Sequence, residues 1–326
     1  MPLLNRNLSK RQQWLEMIGV LGSINLDFVS TSARLPFPGE TIEGSSFKTY
    51  AGGKGANQAL AARRAGSEVI LAASVGKDVW SSTAIENLKT AGVDLSLVQS
   101  SNRSTGTATI VVADDGMNLI VAVPGANAEV NEQAAVRLLE RMDADDTLLT
   151  QLETPFAAVE AALARARSRK IRSALNISPL TSHVVKLVKS ADIVIMNESE
   201  LAGLSGTRRP SEAGEQAYLN RLRSGRDQLF VVTKGAHGAN LYTSSERHTA
   251  PALNVKSVDT TGAGDTFAGY LVAGLDQGLS HQDSLNNAVA AASLACTISG
   301  AQDGIPRIDR VRSCANVWPA RAVSSR

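Results

Sequence analysis

The stretch Val258–Gly269 reads VDTTGAGDTFAG and runs directly into an apolar segment of helical pattern. The small residues at 262–264 allow consecutive backbone N–H groups to converge on one point at the positive end of that helix. Such a loop suits a phosphate or a developing anion. Asp265 follows at its edge, where a carboxylate could accept a proton from an attacking hydroxyl. Considered alone, these residues equally allow an Asp cap on a glycine-rich helix start.

On both sides of this stretch, short β-branched runs alternate with helical patterns, which is typical of βαβ units and a parallel sheet. The predicted strands are Met17–Leu21, Val69–Ser74, Thr147–Gln151, Ser173–Ile177, Ile193–Met196 and Leu229–Thr233. The predicted helices are Gly55–Ala65, Ser81–Ala91, Asn131–Met142, Phe156–Ser168, Glu212–Leu222, Thr266–Gln277 and Gln282–Ser299. The pattern predicts a single α/β domain over residues 17–310, with an N-terminal extension (1–16) and a C-terminal tail (311–326).

Two stretches break this alternation and are expected to lie together. Residues 24–50 are rich in Pro, Gly, Thr and Ser, and residues 105–123 alternate around the turn Asp114-Asp115-Gly116. The turn chemistry of the second stretch predicts a hairpin. We therefore expect a small antiparallel sheet that forms a lid over a ligand site.

The composition narrows the classes of function. The 326 residues include 33 Lys+Arg and 31 Asp+Glu, a net charge of +2, and 43% are hydrophobic. The hydrophobic fraction is too high for a mainly disordered chain. The near-zero net charge gives no electrostatic reason to expect nucleic acid or an anionic membrane as the main partner. Two cysteines and four scattered histidines form neither a disulfide framework nor a zinc motif. We expect a cytoplasmic protein; the basic N-terminal segment leaves organelle targeting as the alternative.

A second glycine cluster, residues 51–58, reads AGGKGANQ and opens a predicted helix. It lacks the Ser or Thr that follows Lys in a Walker A loop. The backbone at Gly53 can approach a ligand closely, and Asn57 offers a donor and an acceptor to neighbouring hydroxyls. The alternative is an ordinary glycine turn before a core helix.

Polar residues also follow the predicted strands, at the edge where open α/β sheets bind ligands. Asn25 and Asp27 follow the first strand and would share one face, which suits a polyol. Glu153 follows the strand Thr147–Gln151 at the same edge. We interpret these groups as parts of one site.

Two later strand ends carry groups that could contact a nucleotide. Asn197 could reach a phosphate and Glu200 a hydrated Mg²⁺, although the pair could equally form a capping box. Thr233 and Gly235 follow a further strand and could wrap a nucleotide.

The segments GSINLD, PGET, GGKGANQA, QLETP, NESE, TKGAHG, DTTGAGDTFAG and SGAQDGIP follow one another in the order typical of the PfkB-type carbohydrate kinase family. The chain resembles that family from about Met17 to Asp309. The resemblance implies a three-layer α/β/α sandwich with a small β lid, and a homodimer formed through that lid. It also implies that Asp265 takes the proton from a sugar hydroxyl while the amides of Gly262, Ala263 and Gly264 hold the γ-phosphoryl group.

The same resemblance implies the remaining ligand contacts. The residues facing a pentose would be Asn25, Asp27, Gly53, Lys54, Asn57 and Glu153, with Lys54 included for its backbone more than its charge. ATP would contact Asn197, Thr233 and Gly235, and Glu200 would act on Mg²⁺ through water. A monovalent cation, expected to be K⁺, would bind Asp259, Thr261 and the main-chain oxygens of Ala295, Ile298 and Gly300. Gly304 departs from the family, which commonly has a Ser hydroxyl ligand there.

The expected reaction is the ATP-dependent phosphorylation of D-ribose at its 5-hydroxyl. The forms GGKGANQA and QLETP resemble those of kinases acting on ribose more than those acting on 2-keto-3-deoxygluconate or fructose. Asn25 favours a sugar with its hydroxyls intact over deoxyribose, and an aromatic content of 4% gives little surface for a nucleoside base. The alternatives are a kinase for another of these sugars, or a non-catalytic sugar-binding protein.

Overall fold

The computed structural model describes residues 16–207, 211–225 and 227–315. The predicted N-terminal extension, apart from Glu16, and the tail from residue 316 onward lie outside the described residues. A helix covers Ile308–Ala315, so the expected domain boundary at residue 310 falls inside a helix.

Thirteen strands and ten α-helices make up the described part of the chain. The strands are β1 (Met17–Leu21), β2 (Asn25–Ser32), β3 (Ser46–Gly52), β4 (Glu68–Gly76), β5 (Asp94–Ser101), β6 (Gly106–Ala113), β7 (Asn118–Val123), β8 (Thr147–Thr150), β9 (Arg172–Asn176), β10 (Ile193–Asn197), β11 (Leu229–Thr233), β12 (Ala239–Tyr242) and β13 (Arg247–Ala250). The helices are α1 (Lys54–Arg64), α2 (Trp80–Ala91), α3 (Glu132–Glu140), α4 (Phe156–Ser168), α5 (Val184–Val188), α6 (Glu198–Ser205), α7 (Glu212–Leu222), α8 (Ala263–Asp276), α9 (His281–Ala295) and α10 (Ile308–Ala315).

The large sheet has nine strands in the order β13-β12-β11-β10-β9-β8-β1-β4-β5. Its pairings from β11 through β5 are parallel, and only β12 and β13 join antiparallel. After β1 the chain builds β4 and β5 on one side and later returns to build β8 on the other. The carboxyl ends of β1 and β8 therefore mark the topological switch point, where sheets of this kind bind ligands.

Two apolar clusters cover the two faces of the large sheet, because the side chains of each strand alternate between them. In β1, Ile18 and Val20 face the cluster packed by α1, α8 and α9, whereas Leu21 faces the cluster packed by α3 and α4. The result is the predicted three-layer α/β/α arrangement. None of the helices within the described ranges is both long and apolar enough to cross a bilayer.

The small sheet has the order β3-β2-β6-β7 and is formed by the two stretches that break the α/β alternation. The predicted hairpin is confirmed: β6 and β7 pair antiparallel, and Gly116 at their turn has φ 84°. The pairing of β2 with β6 is parallel, however, so the sheet is mixed rather than wholly antiparallel. Three residues, 22–24, separate β1 from β2, so the chain passes directly from the large sheet into the small one.

Candidate active site at the carboxyl edge of the sheet

Asp265 lies in the first turn of α8 and is only 6% exposed. Its two carboxylate oxygens each accept a hydrogen bond from a side-chain amide on α1. The Nδ2 of Asn57 donates to Oδ2 at 3.0 Å, and the Nε2 of Gln58 donates to Oδ1 at 2.9 Å. The structure thus brings together the two glycine-led motifs that the sequence analysis assigned to one site.

The glycine loop before α8 is needed for the position of Asp265. Gly262 caps the helix with φ 75°, and a Cβ there would stand 2.7 Å from the carbonyl oxygen of Ala301. A helix start leaves its first N–H groups without intrahelical partners, as an anion site requires. The amide of Ala263, however, donates to the carbonyl of Thr260 at 3.2 Å, so one of the three predicted anion-binding amides is engaged in a turn.

The start of α1 is held against the end of β1 through Glu153. Its Oε2 accepts the backbone N–H of Lys54 at 3.0 Å and the hydroxyl of Ser23 at 2.6 Å. Gly53 caps α1 with φ 89°, and a Cβ there would stand 2.7 Å from the amide nitrogen of Asn25. Four of the expected sugar contacts therefore lie at this junction: Asn25, Gly53, Lys54 and Glu153.

Asp27 projects from β2 towards the same junction. The nearest of its carboxylate oxygens would be 2.5 Å from a Cβ at Gly52, the last residue of β3, which pairs with Asn25. Burial, together with the nearby carboxylates of Glu153 and Asp265, raises the pKa of Asp27 to about 7. A polar ligand that supplied hydroxyl donors would compensate the cost of keeping this carboxylate charged.

The ammonium of Lys54 lies among three acidic groups of the site. Asp265 contributes most to the raised pKa of Lys54, burial opposes it, and Glu153 and Glu200 add to the rise. The charge of Lys54 therefore interacts with Asp265 and Glu153, and with Glu200 in the first turn of α6, in addition to the backbone role predicted for this residue.

A cavity of about 660 Å³ opens beside the glycine loop. Asn197, Thr233 and Gly235, the expected ATP contacts, all line it, together with Ala263 and Gly264. Much of the remaining lining is apolar, and this apolar wall comprises residues for which no role was predicted: Ala252, Leu253, Val255, Phe267, Val289, Ala292 and Cys296.

Asn197 and Glu200 form a reciprocal capping box at the start of α6. The Oδ1 of Asn197 accepts the N–H of Glu200 at 2.8 Å, and the Oε2 of Glu200 accepts the N–H of Asn197 at 2.8 Å. The capping box that the sequence allowed as an alternative to ligand binding is therefore present. Only one carboxylate oxygen of Glu200 is used in the box, which leaves the other to interact with a hydrated ion.

The expected monovalent-cation residues lie together beyond the glycine loop. The two carboxylate oxygens of Asp259 accept the amides of Thr261 and Gly300, each at 2.9 Å. A Cβ at Gly304 would stand 2.4 Å from the carbonyl oxygen of Ala295 and 3.3 Å from that of Ile298. These two carbonyls therefore converge where the family commonly has a hydroxyl. Within residues 16–207, 211–225 and 227–315, no cluster of three or more His, Cys, Asp or Glu side chains is arranged to hold a metal.

Two kinds of residue in the site were missed from the sequence. Asn127 binds Ile24 through both backbone groups and donates to Asn25 Oδ1 at 2.7 Å, so it holds the start of the small sheet. Nothing in its sequence context marks this role. Gln58 and Gln151 belong to the motifs GGKGANQA and QLETP, so their membership of these motifs could have indicated that they lie in the site.

Comparison with known proteins agrees with this geometry. Residues 15–308 match the pfkB family carbohydrate kinases. The ribokinase of Bacillus subtilis (strain 168) is 36% identical over 295 residues, covering 90% of this chain and 97% of the relative. The ribokinase of Lactococcus lactis is 34% identical over 300 residues, covering 91% of this chain and 96% of the relative.

A solved structure of Arabidopsis thaliana ribokinase, complexed with ribose and ATP, superposes with a TM-score of 0.83 at 28% identity, covering 92% of this chain and 98% of that chain. With a buried acid at the start of α8, a nucleotide-sized cavity beside it and a family match over nearly the whole described length, this chain belongs to the pfkB family and is a carbohydrate kinase.

Proposed function

We propose that this kinase transfers the γ-phosphoryl group of ATP to the 5-hydroxyl of D-ribose. The observation that carries the proposal is the position of Asp265. It lies in the first turn of α8, beside the N–H groups of the helix start, and its carboxylate is held by two side-chain amides of α1. The ribokinase relatives support ribose as the sugar.

The sugar would lie against the junction of the two sheets. The buried side-chain oxygen of Asn57 has no hydrogen-bond partner in the described part of the chain, which suits a hydroxyl donor. The carboxylates of Asp27 and Glu153 offer further acceptors there. Asn25 uses its oxygen on Asn127, which leaves its amide N–H groups to donate to a ribose hydroxyl.

In the reaction, Asp265 would accept the proton of the 5-hydroxyl as the oxygen attacks the γ-phosphorus in line. The N–H groups of Gly262 and Gly264 at the start of α8 would stabilise the charge of the transferring group. The amide of Ala263 would join them only if it left the carbonyl of Thr260. The ammonium of Lys54 lies near Asp265 and adds positive charge on the same side. Positioning and charge stabilisation would supply most of the rate increase.

ATP would occupy the 660 Å³ cavity, with its base against the apolar wall and its phosphates towards Asn197, Thr233 and Gly235. Mg²⁺ bound to the phosphates neutralises charge on their oxygens. Glu200 would hold that ion through water by its free carboxylate oxygen.

A monovalent cation, K⁺ by preference, would bind near the Asp259 carboxylate and the converging carbonyls of Ala295 and Ile298. Thr261 and Gly300 complete the proposed site. Its proximity to the loop before α8 would let the bound cation hold residues 262–264 in place. Gly304 supplies no hydroxyl, so water would occupy that ligand position.

A panel of sugars tests the proposal. ADP release would be measured with ribose, deoxyribose, fructose, 2-keto-3-deoxygluconate and adenosine, and the phosphorylated carbon would be assigned by NMR. We expect the highest kcat/KM with ribose and a phosphate on C5. A higher value with another sugar would contradict the ribose assignment, and ribose binding without ADP release would support the non-catalytic alternative.

A further inference from the structure

A line of buried side-chain amides leads from the large sheet to Asp265. The Nε2 of Gln151, just after β8, donates to Oε1 of Gln58 at 2.8 Å. The Nε2 of Gln58 donates in turn to Asp265 Oδ1 at 2.9 Å and reaches Asn176 Oδ1 at 3.3 Å. Neither the expected sugar contacts nor the expected ATP contacts include Gln58, Gln151 or Asn176.

The orientation of the Gln58 amide is determined by its surroundings. If its oxygen and nitrogen exchanged places, an amide oxygen would face the Asp265 carboxylate, and two acceptors would be buried against each other. Gln58 is 0% exposed, so no solvent is available to relieve such a contact. Gln151 reinforces the same orientation, because it donates to the oxygen of Gln58.

The backbone that carries Gln58 is equally constrained. Gly269 of α8 lies so close to α1 that a Cβ there would stand 2.6 Å from both the carbonyl oxygen of Gln58 and the Cβ of Ala61. At the start of α1, a Cβ on Gly55 would stand 2.4 Å from the amide nitrogen of Ser23. Gln58 therefore has a fixed position relative to both α8 and the end of β1.

We propose that Gln58 is a positioning residue for the phosphoryl-transfer reaction, and that Gln151 acts through it. The amide of Gln58 holds the Asp265 carboxylate in the one rotamer from which it accepts the sugar proton. Asn57 supports the second oxygen but also faces the sugar, whereas Gln58 is removed from it. This role rests on the proposed use of Asp265 as the base.

The Gln58→Met variant tests the proposal, since Met keeps the length of the side chain without its hydrogen bonds. We expect kcat to fall about 10–100-fold while the KM for the sugar changes less than about threefold.

Gln228→Met is the matched control. Gln228 is likewise 0% exposed and donates to the carbonyls of Val188 and Ala191, at the opposite edge of the sheet. This control should lower the melting temperature without changing kcat or the KM for the sugar. An equal loss of kcat in both variants, or a wild-type kcat in Gln58→Met, would overturn the proposal.

Gln151→Met gives an independent reading and replaces Gln58→Met if that variant does not fold. We expect kcat to fall about 3–10-fold, and the double variant to be no slower than Gln58→Met, because both changes act on one interaction. Wild-type kcat in Gln151→Met, or fully multiplicative losses, would contradict the proposed line of amides. All comparisons use the sugar that the wild-type protein turns over fastest, so a substrate other than ribose contradicts the proposed function alone.

Discussion

Asp265 and its two amide partners come from segments about two hundred residues apart in the chain. The Gln58 and Asp265 positions differ by 207, and those of Asn57 and Asp265 by 208. The sequence predicted both motifs because glycines, a carboxylate and an amide have recognisable chemistry. It could not predict that Gln58 contacts the acid, since any of several polar side chains near the helix start could have done so.

We expect Asp265→Asn to lower kcat by ~10²–10⁴ while leaving sugar affinity within a few-fold of wild type, because an amide keeps the size of the carboxyl group but cannot accept the proton. Steady-state kinetics and calorimetric sugar titration measure the two effects. Asp283→Asn is the matched control, since Asp283 occupies the first turn of the next helix, α9. Turnover near the wild-type value in Asp265→Asn would exclude this acid as the base.

The raised pKa of Asp27 predicts a pH-dependent KM. Its pKa of about 7 means that the carboxylate, the form that accepts hydroxyl hydrogen bonds, is lost as pH falls through 7. We expect the sugar KM to rise about tenfold from pH 8 to pH 6, since apparent affinity scales with the competent fraction. Asp27→Asn should have a high KM that varies little over that range. A flat wild-type profile would contradict the assignment.

At the scale of elements, α8 illustrates where prediction from sequence succeeds and where it fails. The predicted helix began at Thr266, whereas the observed helix begins at Ala263. Gly264 has low intrinsic helix propensity, which favoured a loop. The left-handed cap at Gly262 nevertheless starts the helix before it, so Asp265 lies within the first turn. For α9 the prediction was too long instead of too short: the predicted helix ended at Ser299, whereas the observed helix ends at Ala295.

Helix α8, which begins beside Asp265, ends at a second buried acid, Asp276, which is 6% exposed. Among the residues that the structure describes, none donates a hydrogen bond of normal geometry to either of its oxygens. Burial chiefly raises the pKa of Asp276 to about 6, with smaller contributions from Glu16 and Asp146, while Thr147 and Arg172 act in the opposite direction. The helix C-terminus also disfavours a negative charge there.

We therefore expect Asp276→Asn to stabilise the protein at pH 8. A folded-state pKa above the unfolded value means that the acid lowers stability as pH rises from about 4 to about 6, and fully above that range. The variant should gain about 1–2 kcal/mol in free energy of unfolding at pH 8 and nothing below pH 4. Denaturant unfolding at both pH values measures this difference. The control Asp114→Asn, at an exposed turn, should leave the free energy of unfolding unchanged at both pH values. An Asp276→Asn variant no more stable than the wild type at pH 8 would refute the prediction.

At the scale of the whole molecule, the apolar strand β7 at the edge of the small sheet is exposed along its whole length. Val29, Ile110 and Ile120 share the face of the small sheet that carries Asp27, as the strand registers show. On the opposite face, Phe28 packs edge-on against Trp80 of α2 at 5.1 Å between ring centroids. An apolar strand exposed on this scale favours a protein interface.

We expect the protein to be a homodimer through the face that carries Ile120, which is 56% exposed. Ile120→Lys should convert it to a monomer in light scattering, because a charge would be buried in the interface. Val121→Lys, at a neighbouring position 65% exposed on the opposite face, is the matched control and should remain dimeric. A monomeric wild-type protein would exclude the interface.

The overall architecture was predictable because it follows from periodicity. All six predicted strands are present, each within two residues of its expected ends, since buried parallel strands are short continuous apolar runs. The strands β5, β12 and β13 were missed. They lie at or next to the sheet edges, where partly exposed residues weaken the apolar signal, as in the pattern of β5.

The short connection between β1 and β2 has a consequence for substrate recognition. Asp27 belongs to the small sheet and Asp265 to a helix packed on the large one, so any rotation between the sheets changes the gap between these two acids. A ligand shifts such an equilibrium by its difference in affinity for the two arrangements. A pentose long enough to contact both acids would therefore favour the arrangement in which the small sheet closes on the large one. A sugar too short to contact both would bind without causing this closure.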